Sequence, residues 1–250
     1  MPILQETVEL DNLASTPIYV QLRELLRAQV TAGDLRPGAR LPSERELARQ
    51  FGISRMTARA AISQLADLGH VRRVPGKGTF VQPPKMVQGL RTLTSFTEDM
   101  RSRGKSTSAR VLEQTLTPAT PYVAGRLGVR PGAQVVEIRR LRLAEREPMS
   151  LEIAYLPAPR FAYLLEEDLT VQSLYEVLAR HGVELGWADQ TVEARLAARE
   201  ESAFLRVPRR APVLRTERTT CDVEGRPVEH VQSVYRADRY TFKVTLLRRR

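Results

Sequence analysis

The sequence predicts an α+β chain in two parts. A winged helix-turn-helix occupies residues 16–82, and a larger domain of antiparallel strands and short helices occupies 90–247. Three observations predict this. Residues 41–81 spell two capped helices followed by a basic hairpin, residues 83–89 interrupt the pattern with Pro83 and Pro84, and beyond residue 90 apolar residues alternate in steps of two between helical runs.

Residues 1–15 read as a loosely held arm. Ser15 or Thr16 can then cap a helix with Pro17 at or near its first position, whose stripe is Ile18, Leu22, Leu25, Leu26 and Val30 and whose end is Gly33. After a turn at Asp34–Gly38, Ser43 and Glu46 have the spacing of a capping box, and Gly52 supplies a left-handed residue where that second helix stops. Ser54 caps a third helix at once. Its apolar residues Ala58, Ala61, Ile62, Leu65 and Leu68 share one side, and Arg55, Met56, Arg59 and Ser63 lie on the opposite arc. Val71–Val74 and Thr79–Val81 then flank the turn Pro75-Gly76-Lys77-Gly78, forming a wing. In a helix-turn-helix the second helix presents its N-terminal residues to major-groove base edges, so double-stranded DNA is the expected partner. Between Gly52 and Phe80 stand Arg55, Arg59, Arg72, Arg73 and Lys77, with Asp67 as the only acid.

Composition narrows the function classes. The net charge is +10, and 35 of the 39 basic residues are Arg, a side chain that binds phosphate and base edges bidentately. Cys221 is alone, which excludes a disulfide framework or a cysteine metal cluster within the chain, and His70, His181 and His230 are too dispersed for a zinc motif. Gly-x-Ser-x-Gly is absent, and Gly104-Lys105-Ser106 lacks the glycine that a phosphate-binding loop needs five residues earlier, where Asp99 stands. No catalytic residue, metal or cofactor is therefore expected. With neither a signal-like N-terminus nor an apolar run of membrane-spanning length, a cytoplasmic protein with no membrane partner is expected.

The second domain shows period-2 runs at 108–116, 134–144, 148–157, 188–197, 212–223 and 227–236. Helical runs lie near 96–103, 119–127, 172–181 and 199–205. Within 134–144 alternation puts Val136, Ile138, Arg140 and Arg142 on one face and Leu141 and Leu143 on the other. Both faces are half apolar, so this strand is expected to be covered on both sides, and a covered arginine pair needs an anion. Glu152 lies in another apolar strand, and Glu229, Val231, Ser233 and Tyr235 share a face in a third. These acids, arginines and a phenol can line a polar cavity for a small anionic, hydroxyl-rich ligand, or Arg140 and Arg142 can pair internally with Glu152 or Glu229. Ser95-Phe96-Thr97-Glu98 has a capping-box pattern, Ser173-Leu174-Tyr175 opens a later helix, and Trp187 is expected in a core or a cavity wall.

Residues 17–81 resemble the DNA-binding domain of the GntR superfamily of bacterial transcription regulators. The likeness rests on Leu41-Pro42-Ser43-Glu44-Arg45-Glu46-Leu47-Ala48, Ser54-Arg55-Met56-Thr57 and Gly76-Lys77-Gly78-Thr79-Phe80-Val81. It implies operator contacts by Arg45, Ser54, Arg55, Thr57, Arg59 and Gly76, to which the basic reading face adds Met56, Arg72 and Lys77. Some members carry histidine at the wing tip where this chain has Pro75. Residues 90–246 resemble the UTRA effector-binding domain of the HutC subfamily, which is similar to the chorismate lyase fold without its catalysis. Leu93–Met100, Arg140-Leu141-Arg142, Ser173-Leu174-Tyr175, Pro227-Val228-Glu229 and Tyr235–Tyr240 carry that likeness. In members that sense amino-sugar phosphates, positions matching Ser95, Arg140, Arg142, Ser173 and Tyr175 hold the phosphate, and those matching Glu152, Glu229 and Tyr235 face the sugar. Thr94 and Phe96 join them through the first motif.

The expected function is a ligand-responsive repressor that binds a pseudo-palindromic operator as a homodimer. Its effector is a small phosphorylated metabolite, with N-acetylglucosamine 6-phosphate and glucosamine 6-phosphate as leading candidates. The alternatives are the same regulator class sensing another small anion, and a lyase-like enzyme acting on an anionic substrate.

Overall fold

The computed structural model describes residues 10, 11, 15–246 and 248, so most of the arm expected over 1–15 lies outside the described residues. Two compact units divide the chain, Met1–Lys85 and Met86–Arg250. No described helix is long and apolar enough to cross a membrane.

The first unit contains α1 (Ile18–Ala32), α2 (Glu44–Phe51), α3 (Arg55–Asp67), β1 (Val71–Val74) and β2 (Gly78–Val81). Neither Ser15 nor Thr16 caps α1. Pro17 is itself the N-cap, held extended at ψ 141°, and its carbonyl accepts the Val20 and Gln21 amides. The capping box of α2 is complete: the Ser43 hydroxyl accepts from the Glu46 amide at 3.2 Å, and Glu46 accepts from the Ser43 amide at 2.7 Å. Gly52 ends the helix at φ +63°, where a side chain would be strained. Leu22, Leu26, Leu47, Ala58, Ala61, Ile62 and Leu65 form the core with Val71 and Val81. Leu68 does not join it: α3 ends at Asp67, and Leu68 in the cap is 51% exposed. The hairpin pairs Val71 with Val81 and Val74 with Gly78, and a bridge from Arg40 to Phe80 adds a third chain segment at its base.

The second unit is built on an antiparallel sheet of six strands, β4 (Thr107–Pro118), β5 (Gln134–Ala144), β6 (Glu147–Pro157), β7 (Leu185–Leu196), β8 (Pro212–Asp222) and β9 (Pro227–Arg236), ordered β4-β5-β6-β9-β8-β7. Helices α4 (Phe96–Arg101), α5 (Pro121–Leu127), α6 (Ala158–Phe161), α7 (Leu174–Arg180) and α8 (Arg199–Leu205) interrupt the strands. One sheet face carries Val136, Ile138, Ala154, Leu156 and Val231 into a core with α6 and α7. The other carries Leu141, Leu151, Val213 and Val234 against Leu205 of α8, and Val135 against α5. The central strands are thus covered on both sides, which is why their apolar residues do not keep to one parity.

Residues 86–89, placed in the linker by their proximity to Pro83 and Pro84, instead form a strand. This β3 (Met86–Gly89) pairs in parallel with β10 (Tyr240–Lys243). Four residues are too few to show a period, and the partner lies about 150 positions away, so only tertiary pairing reveals it. The short α6 and the 3₁₀ turn at Ala162–Leu165 were likewise too brief for periodicity to mark.

Candidate functional site

Two groups of side chains stand out, one in each unit. In the first, Ser54 caps α3 by accepting from the Thr57 amide at 3.0 Å, and its hydroxyl also meets the Thr57 hydroxyl at 2.8 Å. That fixes the start of the helix and leaves Arg55, Met56 and Arg59 exposed, with Met56 at 68%. Arg45 on α2, Arg72 on β1, and Gly76 and Lys77 in the wing turn are exposed as well. A shallow groove is lined by Arg45, Arg55, Gly76 and Arg40 among others. Arg73 behaves differently from its neighbours: it donates to the Ser63 hydroxyl at 3.0 Å and the Arg59 carbonyl at 3.3 Å, bracing the wing against α3. The face is a set of unburied guanidinium and ammonium groups on a rigid scaffold, suited to phosphate and base-edge contacts.

In the second unit, sheet register assembles a buried polar cavity. Arg140 pairs across β5 and β6 with Glu152, Arg142 with Ser150, and Thr220 across β8 and β9 with Glu229. The N-termini of α4 and α7 bring Ser95, Phe96, Ser173, Leu174 and Tyr175 over them, and Arg218 and Val231 complete the walls. Eight of the ten residues expected at an effector site line this cavity. Thr94 and Tyr235 do not. Thr94 offers its backbone carbonyl to Arg218 at 3.3 Å, while Tyr235 packs behind the cavity in an aromatic cluster with its ring 4.6 Å from that of Tyr240.

Arg140 is ion-paired with Glu152, so internal pairing does occur. Burial works against the Glu152 carboxylate, but Arg140 and Arg142 outweigh it and hold its pKa below the ordinary value. Among the described residues Arg142 has no carboxylate in hydrogen-bond range; it donates to the Thr97 hydroxyl at 2.8 Å and lies over the Phe96 ring at 4.9 Å. Burial and the neighbouring Arg140 charge lower its pKa to about 10, which leaves it charged at neutral pH. Glu229 accepts from Tyr175 at 2.7 Å and Thr220 at 3.0 Å, with Arg218 at 3.7 Å. Burial and the Glu229 charge push the Tyr175 phenol up, and burial and the Glu152 charge raise Tyr235 to about 12, so both stay protonated donors. The Ser173 hydroxyl caps nothing and donates to Ser95 at 3.3 Å.

Three guanidiniums therefore face two carboxylates. Arg140 Nε and Nη1, Arg142 Nε and Arg218 Nε are buried donors with no hydrogen-bond partner among the described residues, a costly state that an anion relieves. The cavity volume is about 20 Å³, room for about one water, because these side chains fill it. Sequence reasoning missed Arg218 and Thr97. Arg218 sits among the mixed charges of β8, where only its register opposite Val231 marks it as inward.

Comparison with known proteins agrees with both halves. The model of bacterial regulatory proteins of the gntR family matches residues 18–81, and that of the UTRA domain matches residues 102–241. The chain is 42% identical over 236 residues to the HTH-type transcriptional repressor NagR of Bacillus subtilis (strain 168), covering 94% of this chain and 97% of that protein. It is 28% identical over 233 residues to the mannosyl-D-glycerate transport/metabolism system repressor MngR of Escherichia coli (strain K12), covering 93% and 97%. The crystal structure of PhnF from Mycobacterium smegmatis superposes with a TM-score of 0.66 at 31% identity, covering 91% of this chain and 99% of that one. A winged helix-turn-helix with a basic face, followed by a UTRA domain around a buried cavity, places this chain in the GntR family of bacterial transcription regulators, as a repressor of the HutC type.

Proposed function

We propose that this repressor binds a pseudo-palindromic operator as a homodimer in the cytoplasm, and that a small phosphorylated metabolite in the UTRA cavity lowers its operator affinity. Arg55 and Arg59 read base edges, Met56 contacts them through apolar surface, and Arg45, Ser54, Thr57, Arg72, Gly76 and Lys77 hold the backbone. The effector's phosphate takes the donors of Arg140, Arg142, Ser95, Ser173 and Tyr175, and Glu152 and Glu229 accept from its hydroxyl or amino groups. The single observation that supports an anionic effector is the excess of guanidinium over carboxylate at the cavity, with four buried donors unpaired. An amino-sugar phosphate, N-acetylglucosamine 6-phosphate or glucosamine 6-phosphate, suits two carboxylates set beside an anion-binding cluster. For it to enter, Arg140 must exchange Glu152 for phosphate, which frees that carboxylate for the sugar.

The test is a thermal-shift screen of the full chain against both phosphosugars, trehalose 6-phosphate, urocanate and the unphosphorylated sugars, repeated on Arg140→Ala and on the milder Ser173→Ala. One phosphosugar should raise the melting temperature, with the gain absent in Arg140→Ala and reduced in Ser173→Ala. Equal stabilisation of wild type and Arg140→Ala would reject the assignment of the phosphate to this cavity.

A further inference from the structure

The sheet of the second unit ends in two edge strands, β4 and β7. An edge strand presents a row of unpaired amides and carbonyls, which proteins ordinarily shield with a proline, a short length or a covering segment. β4 is partly covered, since its Ala109 amide donates to the Thr170 carbonyl at 2.6 Å. β7 runs for 12 residues without a proline, and its bulge is confined to its first residues. Beyond the ladder with β8, no backbone hydrogen bond of residues 186–195 is found among the described residues. The segment 88–93 crosses over a face of the sheet and leaves this edge clear: Leu93 packs against the core on the face that carries Val231, and the Thr94 carbonyl meets Arg218 on that same face. We infer that β7 is the contact between effector units, pairing antiparallel with β7 of a second copy and joining two six-stranded sheets into one. The inference rests on reading the repressor as a homodimer.

Directly opposed residues of an antiparallel pair share a sheet face, so the twofold axis between two identical strands passes through one residue position. Charge selects which. Asp189, Thr191, Glu193 and Arg195 lie on one face of β7, and Ala188, Gln190, Val192 and Leu196 lie on the other. An axis at Thr191 opposes Asp189 to Glu193 of the partner subunit, and an axis at Glu193 opposes that carboxylate to its own copy; both are repulsive. An axis at Gln190 brings no opposite charges together, and axes nearer either end shorten the ladder. At Val192 the exposed Asp189 meets Arg195 of the partner subunit, and Glu193 meets Thr191 of the partner subunit. Arg195 is already oriented by Glu201 at 2.6 Å. On the other face Val192 meets its own copy and Leu196 meets Ala188 of the partner subunit, which covers apolar side chains now 42% and 47% exposed.

The test uses the full chain with Cys221→Ala, which removes the buried native thiol, and adds either Val192→Cys or, on the opposite edge strand, Leu116→Cys. Both side chains are exposed, so neither variant disturbs the core. Opposed Cα atoms of an antiparallel pair lie roughly 4.5–5.5 Å apart, within the roughly 4.4–6.8 Å that a disulfide spans. Under mild oxidation Val192→Cys should give a covalent dimer about tenfold faster or more than Leu116→Cys, because its thiols are held together and not brought by collision. Thr191→Lys and Thr191→Glu then test the axis by sedimentation equilibrium. Lysine opposite Glu193 should tighten the dimer about threefold or more, and glutamate there should loosen it by a similar factor. A dimer by light scattering that cross-links no faster at Val192 than at Leu116 overturns this inference and leaves the homodimer standing, whereas a monomer at micromolar concentration overturns both. Fast cross-linking at Val192 combined with a looser Thr191→Lys dimer overturns the Val192 axis.

Discussion

The arginines of the reading face and those of the cavity are the same residue type under opposite constraints. Arg45, Arg55, Arg59 and Arg72 are exposed, and their charge stays hydrated until DNA arrives. Arg140 and Arg142 are 2% and 4% exposed, and burial has already stripped their water. An exposed arginine contributes to affinity and little to folding, whereas a buried one is bound to the stability of its domain through its partner. Mutations should therefore separate the two regions: function without stability in one, both together in the other.

The largest effect should come from Arg140→Ala, which leaves Glu152 buried without its ion-pair partner and should cost the second unit about 3–5 kcal/mol in urea unfolding. Joint replacement, Arg140→Met with Glu152→Leu, should recover much of that loss, and a single-mutant cost near zero would break the contrast. Next, Arg55→Ala should weaken specific operator binding by about 1–3 kcal/mol and relax base preference, while stability changes by less than about 0.5 kcal/mol. Ser54→Ala sharpens the comparison from the structural side of the reading face: loss of the α3 cap should cost about 1 kcal/mol of stability. It should also weaken binding to all sequences alike. Asp222→Asn is told apart by its pH dependence rather than by its size. Burial opposes the Asp222 charge, but the Arg226 amide and the Arg226 and Arg160 guanidiniums hold its pKa down to about 2. Its contribution is present above the unfolded pKa near 4 and is lost as pH falls toward 2. Melting temperature against pH should therefore fall less steeply across that window in Asp222→Asn than in wild type.

Much of this was legible in the residues. The capping pairs Ser43/Glu46 and Ser95/Glu98 announced helices that begin where expected, because a capping box is a local reciprocal bond with no tertiary requirement. Alternation in β5 put Arg140 and Arg142 on one face, and the register of β6 brought Glu152 opposite Arg140. Net charge was a poorer guide. Residues 1–85 hold 12 Lys and Arg against 8 Asp and Glu, while residues 86–250 hold 27 against 21, so most of the excess lies outside the DNA-reading unit. Arg218 escaped notice because Arg215 and Arg218 look alike in sequence, and only pairing with β9 turns one of them inward. Trp187, expected in a core or a cavity wall, is instead 51% exposed on the edge strand β7, beside a bulge that depends on where β7 meets β8 and leaves no mark in the sequence.

The proposed coupling joins anion binding in the cavity to operator affinity. Its most direct test is fluorescence anisotropy of an operator selected from a random DNA pool, titrated with the full chain in the presence and absence of saturating N-acetylglucosamine 6-phosphate. Operator affinity should fall by about tenfold or more, a coupling of at least ~1.4 kcal/mol, and Arg142→Lys, which keeps the charge but not the planar fork, should reduce the effect. An unchanged operator affinity, under conditions where thermal shift shows the phosphosugar bound, would contradict the account.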